Sequence, residues 1–139
     1  MKAYIDSSVA VRSLLHEPGA IEDWSQWDLV MASALIRVET LRAIDRLRVM
    51  GALEGAQLAG TIEALRMVMI RIEEIGIGAA VLDRAAASFP TVVSALDAIH
   101  IATALLWIEE QGEPLLFVTH DVQQAIAART CGLEVKTEP

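Results

Sequence analysis

Five short β-type runs punctuate the chain, and a segment of helical length separates each from the next. The runs are Ala3-Tyr4-Ile5, Leu29 to Ala32, Met69 to Glu73, Leu115 to Val118 and Leu133 to Lys136. Between them the residues carry helix punctuation. Ser7 or Ser8 can cap a helix to about Leu15, which His16-Glu17-Pro18-Gly19 breaks. A second helix is expected from there to about Trp27. Ser33 can cap a third from Ala34 to about Met50, closed by Gly51. Further helices are expected over Glu54 to Val68, Gly76 to Ser88, Ser94 to Gln111 and His120 to Thr130. Pro90 stops the fifth of these, and Gly132 the last. Short strands alternating with helices predict an α/β fold, a central parallel β-sheet flanked by α-helices on both faces. In such sheets ligands bind outside the carboxyl ends of the strands, near a topological switch point. The residues that follow each strand therefore matter most for function.

The chain has 139 residues and a mass of 15.1 kDa, so one compact domain over residues 1–139 is expected. A protein of that mass exposes roughly 7,000 Å² folded against roughly 22,000 Å² unfolded, enough burial to dispense with disulfides. Cys131 is the one cysteine, which excludes a disulfide scaffold. Eleven basic and nineteen acidic side chains leave a formal charge of −8. A chain this acidic does not coat nucleic acid with a basic surface. If it acts on nucleic acid, a bound divalent cation has to supply positive charge at the site. The opening Met-Lys-Ala-Tyr-Ile-Asp does not read as a signal peptide. The apolar stretch from Ala85 to Ile108 carries Asp97 near its middle, the costliest depth in a bilayer. A buried helix in a cytoplasmic protein is expected, with no membrane partner.

Four carboxylates have unusual neighbourhoods. Asp6 follows the first strand directly, and Asp121 lies three residues beyond Val118. If those strands are neighbours, their ends lie about 5 Å apart and both acids can face one cation. Each is also well placed to cap a helix. Glu39 has Leu35, Ile36 and Ala43 among its helical neighbours, so it sits in or beside an apolar stripe, or pairs with Arg42 at its rim. Asp97 is surrounded by Ala95, Leu96, Ala98 and Ile99, with Val93 and Ile101 a turn away. Buried there, it must be paired, neutralised or metal-bound. Otherwise it completes a capping box with Ser94. Oxygen-only donors suit Mg²⁺ or Mn²⁺. His16, His100 and His120 lack zinc spacing. No glycine-rich phosphate loop and no Gly-x-Ser-x-Gly elbow is present. Leu58, Ile62, Leu65 and Val68 read as a core stripe, and Trp24 with Trp27 as packing. Arg12, Arg37, Arg42 and Arg46 can contact a polyanion or simply be surface charge.

Four blocks of the chain resemble the PIN-domain family, and within it the VapC-type toxins of bacterial toxin–antitoxin pairs. They are Tyr4-Ile5-Asp6-Ser7-Ser8, Ser33 to Glu39, Leu96 to Ala104, and Phe117-Val118-Thr119-His120-Asp121, in the family's order. The resemblance implies a PIN-like fold and a metal-dependent endoribonuclease. Asp6, Glu39, Asp97 and Asp121 would be its catalytic metal ligands, for Mg²⁺ or Mn²⁺, with Ser7 and Thr119 as supporting hydroxyls. It further implies an RNA substrate, a homodimer, and a cognate antitoxin protein with a basic C-terminal segment. A catalytically silent PIN-fold binding module and a metal-dependent DNA nuclease are the alternatives.

Overall fold

The computed structural model describes residues 1–137. Its strands are β1 (Lys2–Ile5), β2 (Leu29–Ser33), β3 (Ile72–Ile75), β4 (Leu116–Val118) and β5 (Glu134–Lys136). They form one sheet in the order β3-β2-β1-β4-β5, and every neighbouring pair is parallel. The helices are α1 (Ser7–Leu14), α2 (Leu35–Val49), α3 (Gly55–Ile70), α4 (Ala79–Ala85), α5 (Ala95–Gln111) and α6 (Val122–Thr130).

Side chains alternate across a strand, so the central strands are covered on both sides. Ala3, Ile5, Val30, Ala32, Leu116 and Val118 face one layer with Val9 and Ala10 of α1 and Ile36 of α2. Tyr4, Met31 and Phe117 face the other layer with Ile101 and Ala104 of α5 and Ala127 and Ala128 of α6. The Tyr4 and Phe117 rings stack at 5.2 Å between centroids. A third cluster, built on Leu14, Ile44, Leu53 and Leu65, joins α1, α2 and α3, with Leu58 and Ile62 of the expected stripe against it. Gly51, at φ +73°, turns the chain after α2 in the left-handed conformation that glycine tolerates.

The helix expected to end at Trp27 is only a single 3-10 turn, Trp24–Gln26. Trp24 and Trp27 both bury under the sheet, three residues apart. Three residues make one full turn of a 3-10 helix, so a single such turn sets both rings on one side. Asp23 accepts from Ser25 N–H at 2.9 Å and starts the turn. The third strand forms at Ile72–Ile75 rather than Met69 to Glu73. Val68 and Met69 remain in α3, packed on the helical clusters, and Ile72 instead pairs with Val30. The fifth expected helix shortens to Ala79–Ala85. Among the described residues no helix is long and apolar enough to cross a membrane.

β1 is central, and the chain leaves it towards β2 on one side while β4 leads to β5 on the other. The switch point therefore lies between β1 and β4. Ile5 pairs with Val118, and Asp6 N–H donates to the Val118 carbonyl at 3.3 Å. That register sets Asp6 beside Thr119.

Candidate active site

Asp6 is 4% exposed and caps α1, with Oδ1 accepting from Val9 N–H at 3.4 Å, so the cap is not the expected Ser7 or Ser8, which lie inside the helix. Ser8 donates to the same oxygen at 2.5 Å, and Thr119 Oγ1 donates to Oδ2 at 2.9 Å. Burial pushes the Asp6 carboxyl above the ordinary aspartate range, and those hydrogen bonds pull against it. Ser8 also accepts from His120 N–H at 2.9 Å, tying the start of α1 to the loop after β4.

Asp121 caps α6 through Gln124 N–H at 3.0 Å, and its own N–H donates to Thr119 Oγ1 at 3.0 Å. One threonine hydroxyl thus joins the two aspartates. The capping geometry foreseen for both is present, and in both it coexists with this link.

Asp97 lies in the first turn of α5 and is half-buried, not enclosed in apolar surroundings as its neighbours in sequence suggest. The first turn emerges at the carboxyl edge of the sheet, where Leu96 is itself 48% exposed. Ser94 caps this helix. Its Oγ accepts from Asp97 N–H at 3.3 Å and donates to Asp97 Oδ2 at 2.7 Å. Gln124 Nε2 donates to Asp97 Oδ1 at 3.2 Å. Gln124 thereby bridges Asp121 and Asp97.

Glu39 does not pair with Arg42, which binds Asp45 at 2.9 Å. It accepts from Ser7 Oγ at 3.0 Å and from His100 Nε2 at 2.6 Å. Ser7 adjoins Asp6 in sequence, so Glu39 is tied to the same corner.

Three residues of this network escape a reading of the sequence: Ser8, Gln124 and His100. Gln124 follows a capping aspartate by three residues and reads as plain helix. His100, three residues after Asp97, is the one with a detectable signal, a lone imidazole in an apolar helix.

The donor set is suited to a hard divalent cation. Among the described residues no three His, Cys, Asp or Glu side chains converge closely enough to hold a metal by themselves. Mg²⁺ does not require that, since it commonly uses one or two carboxylates and keeps several waters. Gln124 Oε1 supports the fit. It is a buried acceptor without a hydrogen-bond partner, on the residue whose side chain holds Asp97 and whose backbone N–H holds Asp121. The waters of a hydrated cation are donors of the kind it lacks. The residues present therefore fit such an ion.

A cleft of about 570 Å³ opens beside this corner, between α1 and α2. Ser7, Ser8 and Glu39 line one end, and Arg42 and Arg46 lie further along α2. The structure separates the four arginines. Arg12 pairs with Glu17 at 3.9 Å and Arg37 with Glu74 at 2.8 Å, while Arg42 is held by Asp45. Arg46 lines the cleft outside these pairs.

The family model for the PIN domain matches residues 3–129. This chain belongs to the PIN-domain family. It is 30% identical over 135 residues to Ribonuclease VapC46 of Mycobacterium tuberculosis, covering 95% of this chain and 94% of that one. The VapBC2 structure from Rickettsia felis, bound to a DNA fragment from their promoter, superposes with a TM-score of 0.67 at 13% identity, covering 99% of this chain and 98% of that one. PAE2754 from Pyrobaculum aerophilum superposes at 0.60 with 16% identity, covering 97% and 83%. The five-stranded parallel sheet with six helices is the PIN fold, and within the family the chain is of VapC type.

Proposed function

We propose that this PIN-domain protein is a divalent-metal-dependent endoribonuclease, the toxin of a toxin–antitoxin pair. The observation that carries the reading is the hydrogen-bonded set joining Asp6, Asp121 and Asp97 through Thr119 and Gln124, with Glu39 tied in through Ser7. It lies at the carboxyl edge of the sheet, at the switch point. Asp6, Glu39, Asp97 and Asp121 would hold Mg²⁺ or Mn²⁺, some directly and some through water. Such an ion supplies Lewis-acid polarisation of a phosphate oxygen and a water acidified toward neutrality. The carboxylates then have two tasks. Those that hold the ion would balance its charge and fix its position, and one that does not ligate it would orient the attacking water and accept its proton. Ser7, Ser8 and Thr119 hold the carboxylates in place.

The test uses purified protein with end-labelled single-stranded RNA and the DNA of the same sequence, in Mn²⁺ or EDTA. RNA cut in Mn²⁺ and not in EDTA is the expected result. Cleavage of DNA alone would make this a DNA nuclease. No cleavage of either by folded, metal-supplemented protein would leave a silent binding module.

The arginine assigned to a substrate phosphate is Arg46, about two helical turns along the cleft from Glu39. A charge-assisted hydrogen bond contributes about 1.5–3 kcal/mol, so Arg46→Ala should raise KM for RNA roughly tenfold or more. Arg48→Ala, which breaks only a surface pair with Asp45, should leave KM unchanged. Equal KM values for parent and Arg46→Ala would remove Arg46 from the substrate path.

The similarity to VapC46 and to the VapBC2 complex supports a protein partner of antitoxin type. A formal charge of −8 and an acidic pocket favour a basic segment of that partner. Its binding should weaken as salt rises. The same reading includes a homodimer and a cytoplasmic location.

A further inference from the structure

His100 lies one turn beyond Asp97 on α5 and is 1% exposed. Both ring nitrogens are engaged. Nδ1 is 2.8 Å from the Tyr4 hydroxyl, and Nε2 is 2.6 Å from Glu39 Oε1. The Tyr4 hydroxyl in turn accepts from Ser33 N–H at 3.1 Å. A line of hydrogen bonds therefore runs from the backbone of β2, through Tyr4 on β1 and His100 on α5, to Glu39 on α2. A carboxylate accepts and does not donate, and the Tyr4 hydroxyl has its own proton to give to Nδ1. This network assigns the ring hydrogen to Nε2.

Ser7 Oγ binds the other Glu39 oxygen at 3.0 Å. Glu39 is thus held from both oxygens while its side chain stays 20% exposed and lines the cleft. A glutamate left free on a helix surface must be ordered when its ligand arrives. Here the ordering entropy is met during folding. A histidine buried only for packing would have its polar atoms satisfied within the core. This one reaches out of the core to a carboxylate at the mouth of the cleft.

We propose that His100 is a positioning residue, anchored by Tyr4, that holds the Glu39 carboxylate in the orientation used toward a divalent cation and its water. The proposal rests on the metal-nuclease reading above. It predicts that the position of one nitrogen, Nε2, decides the effect of substitution. The amide of glutamine reaches about as far as Nε2, with its nitrogen able to donate to Glu39 and its oxygen able to accept from Tyr4. The amide of asparagine reaches only as far as Nδ1, so its oxygen can accept from Tyr4 while its nitrogen falls short of Glu39.

The experiment compares parent, His100→Gln and His100→Asn. Mn²⁺ affinity is read from free Mn²⁺ by electron paramagnetic resonance, and kcat and KM are measured for RNA. Partners behind metal ligands typically matter by 10–100-fold, so His100→Asn should lose about 10–100-fold in Mn²⁺ affinity, while His100→Gln should stay within about threefold of the parent. At saturating Mn²⁺, KM for RNA should be unchanged in both, because His100 does not reach the substrate. If His100→Asn does not fold, Tyr4→Phe takes its place. It keeps the ring stacked on Phe117, removes the anchor, and should lower Mn²⁺ affinity several-fold by the same logic.

Equal Mn²⁺ affinities in folded parent and His100→Asn would overturn the proposal. So would a folded His100→Gln as impaired as His100→Asn, or an unchanged affinity in Tyr4→Phe where that variant stands in. A parent that binds no Mn²⁺ and cuts no RNA would remove the metal-nuclease reading and this proposal with it. A parent that does both beside unchanged variants would remove this proposal alone.

Discussion

Asp97→Asn protein should fold normally and cut RNA at least about 100-fold more slowly than the parent, beyond the 10–100-fold typical of residues behind a metal ligand. The substitution is clean because the surrounding donors and acceptors accommodate it. An asparagine oxygen can keep accepting from Gln124 Nε2, and its amide can donate to Ser94 Oγ, which is free to rotate. The Ser94 cap on Asp97 N–H is untouched. What is lost is one negative charge at the corner shared with Asp121. The cost in stability should be no more than about 0.3–1 kcal/mol, the value of an acid in the first turn of a helix. Single-turnover cleavage in Mn²⁺, with circular dichroism as the check on folding, measures both. Asp83→Asn, on the exposed side of α4, should cut at the parent's rate. Asp97→Asn cutting within about tenfold of the parent, in preparations free of contaminating nuclease, would reduce Asp97 to a helix-start residue and sink the proposed site.

The second large effect concerns stability, and Asp6 is the residue to change, because it is the buried carboxylate of the four. Burial raises its pKa in the folded protein above the unfolded value. Between those two values the native state holds more protons than the unfolded one. The stability it contributes is therefore fully present below the unfolded pKa, near 3.8, and is lost as pH rises through the folded value. At pH 7.5 the metal-free parent carries this cost and Asp6→Asn does not. Asparagine is as good an N-cap as aspartate, so the cap on Val9 N–H persists. In EDTA at pH 7.5, Asp6→Asn should melt at or above the parent's temperature. The gap should close as pH falls toward 4. Mn²⁺ at a hundredfold excess over its dissociation constant should stabilise the parent by about 2.7 kcal/mol. For a chain of this length that corresponds to roughly 8 °C in Tm. The mutant should respond far less. Thermal melts of both proteins, in EDTA and Mn²⁺ across pH, decide the matter. A parent indifferent to Mn²⁺, with Asp6→Asn less stable in EDTA, would leave Asp6 as a cap and nothing more.

How far the residues spoke for themselves follows the range of the interactions involved. Ser94 capping α5, Asp6 capping α1 and Asp121 capping α6 all join residues three apart, and all were readable in the chain. The same holds for Gly51 after α2 and for the apolar runs that became strands. Boundaries slipped where two neighbouring demands competed. Met69 looks like strand by composition, but its side chain completes the α3 layer, and Ile72 takes the place beside Val30. Trp24 and Trp27 look helical by spacing, but burying both under the sheet leaves room for a single 3-10 turn.

Tertiary structure alone decided which acid is buried and which groups hold it. From sequence Asp97, flanked by alanine, leucine and isoleucine, reads as the enclosed carboxylate. In the fold that enclosure belongs to Asp6, because β1 is the middle strand and Asp6 enters the crevice beside Thr119. The hydrogen bond from Tyr4 to His100 spans 96 residues, that from His100 to Glu39 spans 61, and that from Thr119 to Asp6 spans 113. Helix and strand propensities act over about four residues, and apolar burial is non-directional, so neither specifies such pairings. They exist because the parallel register of β1 with β4 and β2, once set by packing, brings those side chains within hydrogen-bond reach. Burial then makes each unsatisfied polar group costly enough that the network must close.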